Sequence, residues 1–457
     1  MSASRPTLAS LARDLASGAV TSRQLVEQCL ARIAAPAGEG ARAFISVATE
    51  SALAAADAMD RLRAAGMAPT PFAGIPIATK DLFDVRGEVT TAGSRVLADR
   101  GPATEDAVAV ARLRAAGFIH IGRTNMTEFA YSGLGMNPHY GNPRTPWRRD
   151  EGRVSGGSTS GGAVAVADGM AFAALGTDTG GSCRIPAAFC GIVGYKPTAS
   201  RVPQDGCTPL SPSLDSVGPL AASVDCCAVL DAVLAGEPAR ALKPAALAGL
   251  RLAVLRTVAM DGLDPDVAIA FAAALEAFAE AGATITEIEA PELSEIAPMN
   301  SKGGFTAAES YAWHRELIAR SADGYDPRVL GRISRGRDQS AADYIQLLAH
   351  RRSIAARANA RFADYDAVVF PTVAMLPPRI ADLGETPADN GDAAYTAANL
   401  LALRNATLIN VIDGCAVSLP IGAEDGPPVG LTIAGVSGND RRILAIAAGM
   451  ERLFRPA

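Results

Sequence analysis

Two short loops hold the residue types that acyl-transfer chemistry needs. The first is Ser155-Gly156-Gly157-Ser158-Thr159-Ser160-Gly161-Gly162, with a helix of small residues following from Ala163. The second is Gly176-Thr177-Asp178-Thr179-Gly180-Gly181-Ser182-Cys183-Arg184-Ile185-Pro186, at the end of an apolar strand. Glycine lets the main chain turn tightly and lets a ligand approach it closely. Consecutive N–H groups in such a turn can converge on one oxygen, as a tetrahedral oxyanion requires. Losing one such donor costs about 3–4 kcal/mol of barrier. Gly-rich loops ahead of helices also hold phosphate. Neither loop has the lysine and Ser/Thr of the Walker pattern, and no Gly-x-Gly-x-x-Gly fingerprint is present. Taken alone, the two loops are equally readable as a site or as plain structural turns.

Other chemistries find less support. A Ser-His-Asp triad needs a histidine within reach of the serine. The four histidines are His120, His139, His314 and His350, and none stands in a Gly-x-Ser-x-Gly context. No HExxH or paired Cys/His spacing suggests a metal, and no cofactor is expected. Lys80 follows the apolar run Ile75 to Ala78. Burial would disfavour its charged form and make it a base. The plainer alternative is a surface lysine paired with Asp81 or Asp84.

The pattern as a whole resembles the amidase signature family. The resemblance runs from Gly156 through Asp178, Gly180, Gly181 and Ser182 to Arg184, Pro186, Ala187, Phe189, Cys190 and Gly191, then into Gly194-Tyr195-Lys196-Pro197-Thr198. It implies that Ser182 is the nucleophile, Ser158 a bridging serine after a cis peptide, and Lys80, in Gly74-Ile75-Pro76-Ile77-Ala78-Thr79-Lys80-Asp81, the base. An amide is a poor electrophile with a poor leaving group, so hydrolysis needs an activated nucleophile and a proton for the departing amine. A relay Ser182–Ser158–Lys80 supplies both. The backbone N–H groups of Thr179, Gly180, Gly181 and Ser182 are the expected oxyanion hole, supported by Asp178 and Arg184. Asn125, Met126 and Thr127 resemble a family segment lining the acyl pocket. Met126, Thr127 and Tyr131 are the expected pocket residues, and Glu128 could face the same cavity. Cys183 reads as packing.

One departure stands near the C-terminus. Family members commonly carry Asn-x-x-Gly-x-Pro-Ala, whereas this chain has Asn410-Val411-Ile412-Asp413-Gly414-Cys415-Ala416. Asp413 and Cys415 therefore bear on the substrate, which the sequence does not name. The leading expectation is hydrolysis of a small carboxylic or ureido-type amide. The alternative is the glutaminase subunit of a tRNA-dependent amidotransferase.

The elements that must hold these residues alternate. Ala73–Ala78, Phe118–Gly122 and Ala171–Gly176 read as buried strands, with helical stretches such as Asp106–Ala116 between them. Such alternation predicts an α/β fold, a large mixed and mainly parallel sheet covered by helices on both faces. Ser10–Ala34 reads as one amphipathic helix. Asp264–Gly282 reads as another, capped by Asp264 with Pro265 at its first position. Further strands are expected at 249–256, 284–288, 365–371, 415–419 and 429–434, and a closing helix at 441–454. The stretch 377–391 reads as a turn-rich loop. One domain spanning 1–457 is expected, with a catalytic core at about 70–220 and a variable, substrate-side helical region at about 290–395.

Net charge is −6 over 42 basic and 48 acidic side chains, and no Lys/Arg-rich block suggests nucleic acid. No apolar run approaches the roughly 18–20 residues of a membrane span, and no secretory signal opens the chain. Seven cysteines without a CxxC pair fit a reduced, cytoplasmic protein. The expected partner is a small-molecule amide, with a homodimer as a possible assembly.

Overall fold

A computed structural model of the chain describes residues 5–239, 242–384, 392–423 and 425–454. Its strands, numbered along the chain, are β1 (Phe44–Val47), β2 (Pro76–Lys80), β3 (Ile119–Thr124), β4 (Ala173–Asp178), β5 (Val193–Lys196) and β6 (Ser216–Ala221). They continue with β7 (Arg251–Leu255), β8 (Thr284–Ile288), β9 (Ala367–Pro371), β10 (Cys415–Pro420) and β11 (Gly430–Gly435). All eleven join one mixed sheet in the order β1-β3-β2-β4-β6-β5-β10-β11-β9-β7-β8. Helices cover both faces, as the alternating pattern implied. The Ser160–Ala167 and Arg184–Cys190 helices pack together over the middle of the sheet, while Val108–Ala115, Val224–Ala235 and Asp440–Phe454 form a second packed group. Every residue of β2, β4, β6, β9, β10 and β11 is buried. Each fully buried Val, Leu, Ile or Phe side chain there contributes roughly 1.5–3 kcal/mol.

Parallel pairing, expected to dominate, occupies two blocks: β2 with β3 and β4, and β7 with β8 and β9. Parallel neighbours need a long crossover, here supplied by the Val108–Ala115 and Pro265–Glu280 helices among others. Between the blocks, neighbours from β4 through β6, β5, β10 and β11 to β9 are antiparallel. Strands β1, β5 and β6 carry no clear alternation signal in the sequence and add to the expected set.

Boundaries differ for local reasons. The single helix expected over Ser10–Ala34 is two, Leu8–Ser17 and Ser22–Ile33. Gly18 takes the left-handed conformation at φ 75° and ends the first; the Thr21 side chain accepts from Gln24 N in a capping box and starts the second. Strand β2 runs through Lys80 instead of ending before it, so the lysine is a strand residue, not a loop residue. The Asp264 cap holds: its side chain accepts from Asp266 N, with Pro265 at the first helical position. The region from 290 to 360 is largely helical, with Gly304–Ser321, Pro327–Ser334 and Ala341–Phe362 its main helices. The expected loop at 377–391 contains a short helix, Ile380–Leu383, and its part from 385 to 391 lies outside the described residues.

Candidate active site

Adjacent parallel strands bring their C-terminal ends to one place. Strands β2 and β4 pair at Ala78 with Ala174 and Thr79 with Leu175, so Lys80 and Thr177–Asp178 emerge side by side. Lys80 Nζ donates to Ser158 Oγ at 2.8 Å and to Thr177 Oγ1 at 2.9 Å. Lys80 and Ser158 are fully buried, and Ser182 is 3% exposed. Burial disfavours the ammonium and lowers the Lys80 pKa to about 8. A base with a substantial neutral fraction near physiological pH thus touches a serine hydroxyl. The surface-lysine alternative does not hold. Asp81 instead accepts from Arg123 Nε at 2.5 Å and from Gly93 N at 2.9 Å, and Asp84 accepts from Thr90 Oγ1 at 2.8 Å.

The Ser158 loop is clamped from several sides. The Gly157–Ser158 peptide is cis. Gly157 N donates to Gly133 O at 2.8 Å, and Thr127 N to Ser158 O at 3.1 Å. A Cβ on Gly157 would lie 2.6 Å from Gly135 N, so only glycine fits between these loops. Thr159 N donates to Ser182 O at 3.3 Å and joins the two Gly/Ser-rich loops directly.

Asp178 organises the turn that carries Ser182. Its carboxylate accepts from Gly181 N at 2.9 Å, Cys183 N at 3.1 Å and Arg184 Nε at 3.0 Å. Arg184 Nη2 adds a contact at 2.9 Å, as does Asn410 Nδ2. Burial pushes this carboxyl up, but the Arg184 guanidinium and the Asn410 amide outweigh it and hold it well below the usual aspartate range. Asn410 Oδ1 in turn accepts from Arg184 Nη2 at 2.6 Å, closing a buried Asp–Arg–Asn cluster. Gly181 needs to be glycine. Its φ is +125°, and a Cβ there would sit 2.5 Å from Ala406 Cβ.

This clamp corrects one expectation. The Gly181 N–H is held by Asp178 and is not free for an oxyanion. The N–H groups of Thr179, Gly180 and Ser182 have no hydrogen-bond partner among the described residues, and neither does the Ser182 hydroxyl. The donors with unspent capacity are therefore one hydroxyl and three amides of a single turn.

The expected pocket residues divide. Thr127 is buried and holds the Ser158 loop. Tyr131 is half-buried, and its hydroxyl donates to Thr306 Oγ1 at 3.0 Å, linking the site to the Gly304–Ser321 helix. Met126, by contrast, is fully buried in the main core and does not line an open wall. Asn125 ties the main chain, donating to Gly141 O at 2.8 Å, and Glu128 is buried against Ser94 and His139 at 2.6 and 2.8 Å. Cys183 is buried, its thiol pushed far up by burial, in keeping with a packing role. His120, His139 and His314 contact Thr79, Glu128 and Tyr325, not the turn that carries Ser182.

Four contributors escape sequence reasoning. Asn410 opens the C-terminal motif but matches the family pattern, so only the departures after it stand out. Thr177, which accepts from Lys80, and Asp215, whose carboxylate accepts from the Thr179 hydroxyl at 2.5 Å, carry no spacing signal. Thr407 Oγ1, on the Asp392–Val411 helix, donates to Gly180 O at 3.4 Å. The departures themselves lie elsewhere. Asp413, at φ 55°, accepts from Ala199 N at 2.9 Å and from Ser437 Oγ at 3.4 Å, and Cys415 is a buried residue of β10.

Among the described residues no cluster of three His, Cys, Asp or Glu side chains could hold a metal, and no helix is long and apolar enough to cross a membrane. Residues 24–444 match the family model described as Amidase. The chain belongs to the amidase family. It is accordingly a hydrolase of amide C–N bonds. It is 37% identical to the 2-amino-5-chloromuconic acid deaminase of Comamonas testosteroni, over 88% of this chain and 86% of that one. With a glutamyl-tRNA(Gln) amidotransferase subunit of Chloroflexus aggregans it shares 35% identity, over 96% and 94%. A crystal structure of an amidase superposes with a TM-score of 0.88 at 31% identity, covering 98% of this chain and all of that one.

Proposed function

We propose that the chain hydrolyses a small carboxylic or ureido-type amide through an acyl-enzyme on Ser182, with Ser158 and Lys80 as proton relay. The observation that carries this is the 2.8 Å contact between a buried Lys80 of lowered pKa and Ser158. It lies beside a turn whose Ser182 hydroxyl and three N–H groups are unengaged among the described residues. Neutral Lys80 takes the Ser158 proton as Ser158 takes that of Ser182, which attacks the carbonyl carbon. The N–H groups of Thr179, Gly180 and Ser182 hold the oxyanion, and each is worth about 3–4 kcal/mol of barrier. The relay in reverse protonates the leaving amine. Water then cleaves the Ser182 ester by the same route. Asp178, Arg184 and Asn410 fix the turn and take no proton.

A second reading has its own support. The 35% identity to an amidotransferase subunit extends over nearly the whole chain, so a glutaminase that works within such a complex is the alternative. Screening aliphatic, aromatic and ureido-type amides for ammonia release by the isolated chain separates the two. The proposal expects turnover by the chain alone, lost in Ser182→Ala and reduced by orders of magnitude in Lys80→Ala. Glutaminase activity that arises only with partner chains would establish the alternative, and near-normal turnover in Lys80→Ala would remove the relay.

A further inference from the structure

When Ser158 loses its proton to Lys80, an ammonium forms in a buried site. A buried cation is costly unless a counter-charge faces it. The groups around Lys80 can be sorted. Ser158 and Thr177 offer neutral hydroxyls at 2.8 and 2.9 Å. Cys183 and Cys207 act on it from nearby, but burial raises both thiols far enough to keep them neutral. That leaves two carboxylates, Asp178 and Asp215. Asp178 is already matched by Arg184 at 2.9 Å and also faced by Lys196.

Asp215 is different. It is 6% exposed and forms no ion pair among the described residues. Its oxygens accept only from neutral donors: the Thr179 hydroxyl at 2.5 Å, and Leu210 N and Ser211 N at 3.0 Å each. Glu309, which also acts on it, is of its own sign and is held by Ser211, Ser213 and Tyr344. Asp215 and Thr177 line one small cavity, together with Gln204, Cys207 and Leu210. The carboxylate therefore has two connections into the site. One runs through the Thr179 hydroxyl to the turn that carries Ser182. The other crosses that cavity to Thr177, whose hydroxyl accepts from Lys80.

We infer that Asp215 is a positioning residue of the reaction, anchoring the nucleophile turn through Thr179 and supplying the unmatched negative charge that holds Lys80 as it becomes protonated. This rests on the Lys80–Ser158–Ser182 relay proposed above. Burial raises the Asp215 carboxyl to about 6, which leaves it ionised at neutral pH. The plainer role, a brace for the loop from Leu210 to Asp215, also uses its contacts with Leu210 and Ser211. That role predicts lower stability and no change in the titration of the base.

The test follows the rate at which a fluorophosphonate probe labels Ser182 as a function of pH, which needs no knowledge of the natural substrate. In Asp215→Asn the acid limb of that profile moves to lower pH by about one unit, because removing an anion lowers the affinity of Lys80 for its proton. Asp215→Glu keeps the limb near its original place. Thr179→Val leaves the limb unmoved but lowers the plateau by about tenfold, since the turn loses its anchor. A folded Asp215→Asn with an unmoved limb, or Thr179→Val labelled at the original rate, overturns the inference. The second arm decides the matter should Asp215→Asn not fold. Lys80→Ala run beside them distinguishes the two readings. An unlabelled Lys80→Ala with an unmoved Asp215→Asn limb removes only the role of Asp215, whereas normal labelling of Lys80→Ala removes the relay itself.

Discussion

Asp178 and Arg184 are both fully buried, and the consequences of separating them can be worked through. In Asp178→Asn one carboxylate oxygen becomes an NH2 group facing the Gly181 and Cys183 N–H groups or the Arg184 guanidinium, all of them donors. Arg184 is then a buried cation without a counter-charge, left with the retained amide oxygen and Asn410 Oδ1 as neutral acceptors. Removing one partner of a buried pair costs about 3–5 kcal/mol. With about 2.1 cal/mol/K of unfolding entropy per residue over 457 residues, one degree of Tm corresponds to roughly 1 kcal/mol. Calorimetry at neutral pH should therefore show Tm falling by about 3–5 °C in Asp178→Asn. A similar fall is expected in Arg184→Met, which strands the carboxylate instead. The double variant strands neither charge, so its loss should be smaller than the sum of the two by about 1–3 kcal/mol. Losses that simply add would refute the claim that these two side chains act as one unit. Labelling of Ser182 should collapse in Asp178→Asn and in the double variant, where the carboxylate that Gly181 N and Cys183 N share is lost and the turn with it.

Gly181→Ala places a methyl group 2.5 Å from Ala406 at a φ of +125°, so labelling should fall by roughly a hundredfold while circular dichroism stays native. Turnover should rise with pH through about 8, since the base is active when neutral and burial lowers the Lys80 pKa to that value; a profile flat from neutral to alkaline pH would contradict it. The depressed Asp178 carboxyl contributes stability that is complete above its ordinary value of 3.8 and lost as pH falls below it toward the folded value. Acid titration of Tm should show that loss, and Asp178→Asn should lack this share of it.

The residues legible in the sequence are those whose identity is forced by local chemistry. Ser158, Ser182 and Lys80 stand in motifs that resemble the amidase signature, and the geometry puts Lys80 on Ser158. Glycines at 157 and 181 are visible for the same reason, since nothing larger fits. What is hidden depends on contacts distant along the chain. Asn410 reaches Asp178 across 232 positions, and no periodicity in the Asp392–Val411 helix marks it out from the other buried asparagines, Asn399 and Asn405. The Gly181 N–H can be excluded from the oxyanion hole only because Asp178 occupies it in three dimensions. The break at Gly18 is hard to read because the apolar stripe continues on both sides of it. Strands β5 and β6 are obscured because Gly194, Gly218 and Pro219 interrupt their apolar pattern.

The span between Asp178 and Asn410 has a consequence for how the enzyme comes into being. Lys80, Ser158 and Ser182 are all synthesised well before Asn410, yet the turn bearing Ser182 is locked by that later side chain. A nascent chain halted before the Asp392–Val411 helix holds all three of these groups and lacks the amide that completes their support. Support of the Ser182 turn thus waits on the Asp392–Val411 helix, and a chain stopped before that helix is expected to leave Ser182 unlabelled by a fluorophosphonate probe.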